Sequence, residues 1–146
     1  MTVKRMTKAG LIESLGTLGT FNPVGHIVLA FVDEAAAASA AQALHEAGLE
    51  AADVLAFSSA ELRPPLEALL RASSGAAGFG YEVTLVRRYI DLANQGAGWL
   101  VVRAPDDDVT GRVQAIARRF EARAGVRYHR LASEELIEAG GKREQL

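Results

Sequence analysis

Four kinds of side chain in this sequence could carry chemistry. The first is a run of glycines in "SSGAAGFGY" (73–81), with Gly75, Gly78 and Gly80 ahead of a helical stretch. Glycines before a helix start can cradle an anion against free backbone N–H groups. The order Gly-x-x-Gly-x-Gly, however, reverses the dinucleotide fingerprint and does not directly follow a strand. No Lys-Ser/Thr follows either, as a nucleotide-hydrolase phosphate loop requires. The stretch therefore reads as a joint between two helices, with anion binding at Gly75, Gly78 and Gly80 as the alternative. The second group is His26, Trp99, Arg103, Tyr128 and Arg130, aromatic and basic residues at positions where strand alternation would set them on one sheet face. The third is the histidines His26, His45 and His129, which show neither His-x-x-x-His spacing nor a clustered carboxylate and so imply no metal. The fourth is Asp106-Asp107-Asp108, whose place before an apolar-periodic stretch makes helix capping the expected role. No Gly-x-Ser-x-Gly nucleophile elbow occurs, and cysteine is absent, so thiol catalysis and disulfides are excluded. No catalytic residue, metal or cofactor is assigned.

Two stretches must position these residues. Residues 25–62 and 98–136 align, each with an apolar run, an acidic step, a helical segment, a glycine stop, a second strand and Ser-x-Glu-Leu. Gly25 matches Gly98, Asp33 matches Asp106, and Ser59–Leu62 matches Ser133–Leu136. In the second unit Val109, Val113, Ile116, Ala117, Phe120 and Ala124 form one stripe at the helical period, and Gly125 is its expected stop. The first unit has an alanine-rich helix ended by Gly48. "HIVLAFV" (26–32) and "WLVVRA" (99–104) read as central strands; residues 53–59 and 127–133 read as edges.

Two such units give an α+β, ferredoxin-like βαβ-βαβ sandwich of sheet order 4-1-3-2. Between them "RPPLEALLRASSG" (63–75) reads as helical from Pro64. "YEVTLVRRYIDLANQG" (81–96) places Leu85, Val86, Tyr89, Ile90 and Ala93 on one stripe, so a helical hairpin is inserted. The organisation is an N-terminal arm (1–24), one domain (25–136: repeat one 25–62, helical insert 63–96, repeat two 97–136) and a tail (137–146). Alternation directs Ile27, Leu29, Phe31, Leu100 and Val102 to the repeat helices. It directs His26, Val28, Ala30, Trp99, Val101 and Arg103 to the other face, with Val54, Ala56, Tyr128 and Arg130 joining them. Such a face needs cover, either from the inserted hairpin or from a second copy.

The 146-residue chain carries a net charge of −2, which argues against bulk nucleic-acid binding. The charge is uneven. Residues 25–62 contain six acids and no Lys or Arg, whereas residues 109–130 contain six arginines against one acid. That asymmetry suggests self-association as a homodimer or an acidic partner. No apolar stretch is long enough to span a membrane, and with no cysteine a cytoplasmic location is expected.

"FVDEAAAASAAQALHEAGLEAADVLAF" (31–57) and "RRYIDLANQGAGWLVVRAPDDD" (87–108) resemble the bacterial general stress (heat-induced stress) protein family. The resemblance covers roughly residues 25–125, but the long glycine/alanine-rich insert common in that family is missing. It implies a non-enzymatic, stress-associated protein with no catalytic residue. The expected function is an interaction module. The alternatives are a sensor of a small anionic ligand or nucleotide, and RNA binding through an open sheet face.

Overall fold

The computed structural model describes residues 7–17, 24–74, 80–128 and 133–137. Helix α1 (Lys8–Thr17) precedes β1 (His26–Phe31), α2 (Glu34–Glu46), a 3-10 turn (Ala51–Asp53) and β2 (Val54–Ser58). Then come α3 (Ser59–Ser74), α4 (Gly80–Asn94), β3 (Gly98–Arg103), α5 (Asp107–Arg119), β4 (Ala124–Tyr128) and β5 (Ser133–Ile137). The fold is α+β with one antiparallel sheet in the order β2-β3-β1-β4-β5. Among the described residues the sheet has five strands, not the four expected. The fifth arises where the two aligned halves part company. Ser59–Leu62 opens α3, whereas Ser133–Leu136 lies within β5. The difference is local chemistry. Ser58 and Glu61 form a capping box: the Glu61 N–H donates to Ser58 Oγ at 3.0 Å and the Ser58 N–H to Glu61 Oε1 at 2.8 Å. The position aligned with Ser58 is Ala132, which has no hydroxyl to start a helix.

The same box corrects the expected start of the insert. Helix α3 begins at Ser59, not Pro64, and Pro64 and Pro65 lie inside it. A second correction concerns Gly125, which is no helix stop. Helix α5 ends at Arg119 with Phe120 as its cap, the left-handed turn falls on Glu121 (φ 59°), and Gly125 sits in β4. Ala124 accordingly belongs to that strand and not to the helix stripe. The stops at Gly48 and Gly96 are observed with φ of 104° and 88°.

The sheet is the middle of three layers. Ile27, Leu29, Phe31, Leu100 and Val102 pack with Ala37, Ala40, Leu44, Val113, Ile116 and Ala117 of α2 and α5. Val28, Ala30, Trp99, Val101 and Val126 pack under α1, α3 and α4. Strand β2 is one residue out of the expected phase. Val54 faces α2 and α5 opposite Val102, while Leu55 and Phe57 face the hairpin. Gly98 fixes the entry of α2. A Cβ there would stand 2.5 Å from the Asp33 carbonyl oxygen, so only glycine lets the helix start cross β3 this closely.

Candidate functional site

The face carrying the aromatic and basic candidates is covered by the chain's own helices. Trp99, Tyr128 and His26 are 1 %, 4 % and 2 % exposed. Helix α4 brings Tyr89 onto them, because its stripe Leu85, Val86, Tyr89, Leu92 and Ala93 faces the sheet. The Tyr89 ring meets Trp99 edge-on, with centroids 5.4 Å apart and planes at 87°. The Tyr89 and Tyr128 hydroxyls are 2.6 Å apart. Trp99 Nε1–H donates to Ser59 Oγ at 3.0 Å, and the Ser59 hydroxyl donates to the Ala97 carbonyl at 2.6 Å. The polar atoms of this aromatic group have hydrogen-bond partners, which is what allows them to be buried.

His26 and Arg103 lie at one end of the same face, directly opposite each other in the β1–β3 ladder. His26 Nδ1–H donates to the Val24 carbonyl at 3.0 Å. Burial pushes the imidazole pKa down, opposed by that hydrogen bond; the Arg103 charge lowers it further and Asp53 raises it. Arg103 in turn faces Asp53 at 3.8 Å. His26, Arg103 and Asp53 thus form one electrostatic row at this end of the sheet.

Arg130, Gly75 and Gly78 lie outside the described residues, and Gly80 is the first residue of α4. The aspartate run is fully employed. Asp106 caps α5 by accepting from the Val109 N–H at 2.9 Å, Asp107 binds Arg127 at 2.9 Å, and Asp108 pairs with Arg112. Among the described residues no group of His or carboxylate side chains is arranged to hold a metal ion.

RNA binding through an open sheet face would require removing the cover. Leu11, Leu62, Leu66, Leu69, Leu85, Val86 and Leu92 are all buried within it. At about 1.5–3 kcal/mol per side chain, their burial amounts to roughly 10–20 kcal/mol. Even half of that rivals the stability of about 5–15 kcal/mol typical of a whole domain. The face is core: of the two covers expected, the inserted hairpin supplies one, and the alternative of an open sheet face is corrected.

Two clefts on the surface of the described residues bear on function. One of about 240 Å³ runs between the start of α2 and β2, lined by Glu34, Ala37, Ala38, Ala56, Phe57 and Ser58 among others. The second, about 120 Å³, lies at the end of β1 between Val32, Leu92, Gln95 and Arg123. Arg118, Arg119 and Arg123 are exposed at and just beyond the end of α5, and Arg119 stacks over the Phe120 ring. Sequence reading missed Ser59 and Asp53 as partners of Trp99 and Arg103. Only the Ser58-x-x-Glu61 spacing hinted that a helix starts there. Comparison of the chain with family models, with curated proteins and with solved structures gave no match.

Proposed function

We propose that this protein is a non-enzymatic interaction module that self-associates through the outer surface of α2 and α5. The observation that carries this is the separation of charge between those two helices. Helix α2 carries Glu34 and Glu46 with alanines between them. Helix α5 ends in Arg118 and Arg119, exposed and in no ion pair among the described residues. The two helices share one face of the sheet. The start of α2 and the end of α5 lie at the same end of it, since Ala30 pairs with Ala124. A two-fold axis running along and between the helices would set α2 of one copy on α5 of the other. Glu34 would then be level with Arg118 and Arg119, and the complementary contact would be made twice.

The resemblance to general stress proteins supports a stress-associated role for such a module. The run β4-β1-β3-β2 supports a ferredoxin-like sandwich extended by β5. Sedimentation at low and high salt tests the reading. A dimer at low salt that dissociates at high salt is expected, with R118E/R119E weakening it at least tenfold and E34R added to that variant restoring it. A monomer under all conditions, or salt-insensitive association, would defeat it.

The alternative of a small-anion sensor draws on Arg123, which lines the 120 Å³ cleft. A thermal-shift screen with organic acids and nucleotides tests it, and Arg123→Ala must abolish any stabilisation found.

A further inference from the structure

We propose that the cleft at the end of β1 is a binding site for a short aliphatic monocarboxylate, its carboxylate on Arg123 and its carbon chain on Val32 and Leu92. The inference rests on the small-anion reading and narrows it to one chemical class. Three observations lead there. First, the lining holds one cation, Arg123, and no carboxylate; Phe31, Val32, Leu92, Ala97 and the amide of Gln95 make up the rest. Second, Arg123 is fixed in place while its guanidinium is left unengaged. Its backbone N–H donates to the Ala30 carbonyl at 2.7 Å, and its carbonyl accepts from the Arg88 guanidinium at 2.8 Å. Its own exposed guanidinium makes no hydrogen bond or ion pair among the described residues. Third, Val32 is 48 % exposed at the cleft, one of two large apolar side chains exposed among the described residues. Phe31, Leu92 and Ala97 beside it are buried. A free cation therefore stands next to bare apolar surface.

The chemistry of the occupant follows from size and charge. A cavity of about 150 Å³ with apolar walls holds a benzene ring, so about 120 Å³ takes roughly five carbon-sized atoms. That admits the chain of butanoate or pentanoate and leaves out a nucleobase with its ribose. The planar fork of a guanidinium matches a carboxylate with two parallel N–H···O bonds. A dianion is less well matched. Arg88 brings a second guanidinium to the Arg123 carbonyl, but two features offset it. Asp33 follows Val32 directly, and Leu92 and Gln95 lie at the C-terminal end of α4, where the helix dipole is negative. So few atoms in contact give weak binding, and a millimolar dissociation constant is expected.

Titration of the full chain, followed by two-dimensional amide NMR, tests the site. The probes are pentanoate, acetate, the neutral pentanamide, and butyl phosphate at a pH where it is a dianion. Pentanoate is expected to bind at least tenfold more tightly than each of the others, through its charge and its added methylenes. It should move the amide signals of Val32, Gln95, Ala97 and Arg123. Arg123→Gln should lower pentanoate to the level of pentanamide, and Val32→Ser should bring it towards acetate. Both side chains are exposed, so the melting temperature should hold in each variant. Pentanoate no tighter than acetate or pentanamide, or signals that move only away from the cleft, would overturn the proposal. Butyl phosphate binding as tightly as pentanoate, and only while Arg123 is present, would remove the monocarboxylate and leave the small-anion reading standing. No Arg123-dependent binding of any probe would remove both.

Discussion

The indole N–H of Trp99 donates to the hydroxyl of Ser59 at 3.0 Å, across 40 residues of chain. This bond ties the first residue of α3 to a central strand, and Ser59 passes the link on to the Ala97 carbonyl. One hydroxyl thereby satisfies a buried donor and a buried acceptor.

Ser59→Ala should cost about 1–3 kcal/mol, because it leaves the Trp99 N–H buried without an acceptor. Urea denaturation followed by circular dichroism measures this. Adding Trp99→Phe to the Ser59→Ala variant should cost less than Trp99→Phe in the wild type, since the orphaned donor leaves with the indole. Strict additivity would show that the bond carries no weight.

The tyrosine pair should behave as a coupled unit. Tyr89→Phe and Tyr128→Phe each leave one hydroxyl facing a ring edge where its 2.6 Å partner stood. Each is expected to lose about 1–2 kcal/mol, and the double variant less than the sum, by about 0.5–1 kcal/mol. A double-mutant cycle in guanidinium chloride reads the coupling directly.

Two glycines should rank in a definite order. Gly98→Ala forces a Cβ to within 2.5 Å of the Asp33 carbonyl oxygen, where a rigid backbone cannot give way, and should prevent a stable fold. Gly96→Ala meets open space and suffers only the left-handed φ of 88°, a cost of about 1 kcal/mol. Expression yield and melting temperature of the pair would show the order, and equal effects would contradict the close approach of α2 to β3.

Acid should weaken the fold in two separate windows. His26 has its pKa pushed below 6.5 by burial, so the unfolded chain takes up a proton first. Its contribution is complete above pH 6.5 and declines as pH falls from there to the folded-state pKa. His26→Asn, which keeps a donor for the Val24 carbonyl, should flatten the melting temperature between about pH 7.5 and about pH 5.5. Glu61 acts lower. The Ser58 N–H, then the Lys8 hydrogen bond, hold its carboxyl below 4.5, so its contribution is lost as pH falls beneath that value. Glu61→Gln should remove that part of the acid slope and leave the His26 window intact.

Much of the architecture was legible because it rests on local periodicity. The stripe Val109, Val113, Ile116 and Ala117 and the apolar runs of β1 and β3 declare their own period and burial. Asp33 and Asp106 announce helix starts through their caps at Ala36 and Val109. Alternation also sorted the two central strands correctly between the faces. The phase of β2 was harder, because "VLAFSS" carries apolar residues on both faces and its register is set only by pairing with β3. Gly125 misled for a related reason. A glycine suits a helix stop, and equally a strand position where Leu29 and Ile137 press from the neighbouring strands.

By itself the sequence determined helices α2, α4 and α5, the central strands, their buried sides and the charge contrast between α2 and α5, because each is written in residues that are near neighbours along the chain. The tertiary structure alone decided that Trp99, Tyr128 and His26 belong to a core. That outcome depends on α4 laying Tyr89 across the sheet and α3 bringing Ser59 to Trp99, contacts 39 and 40 residues apart.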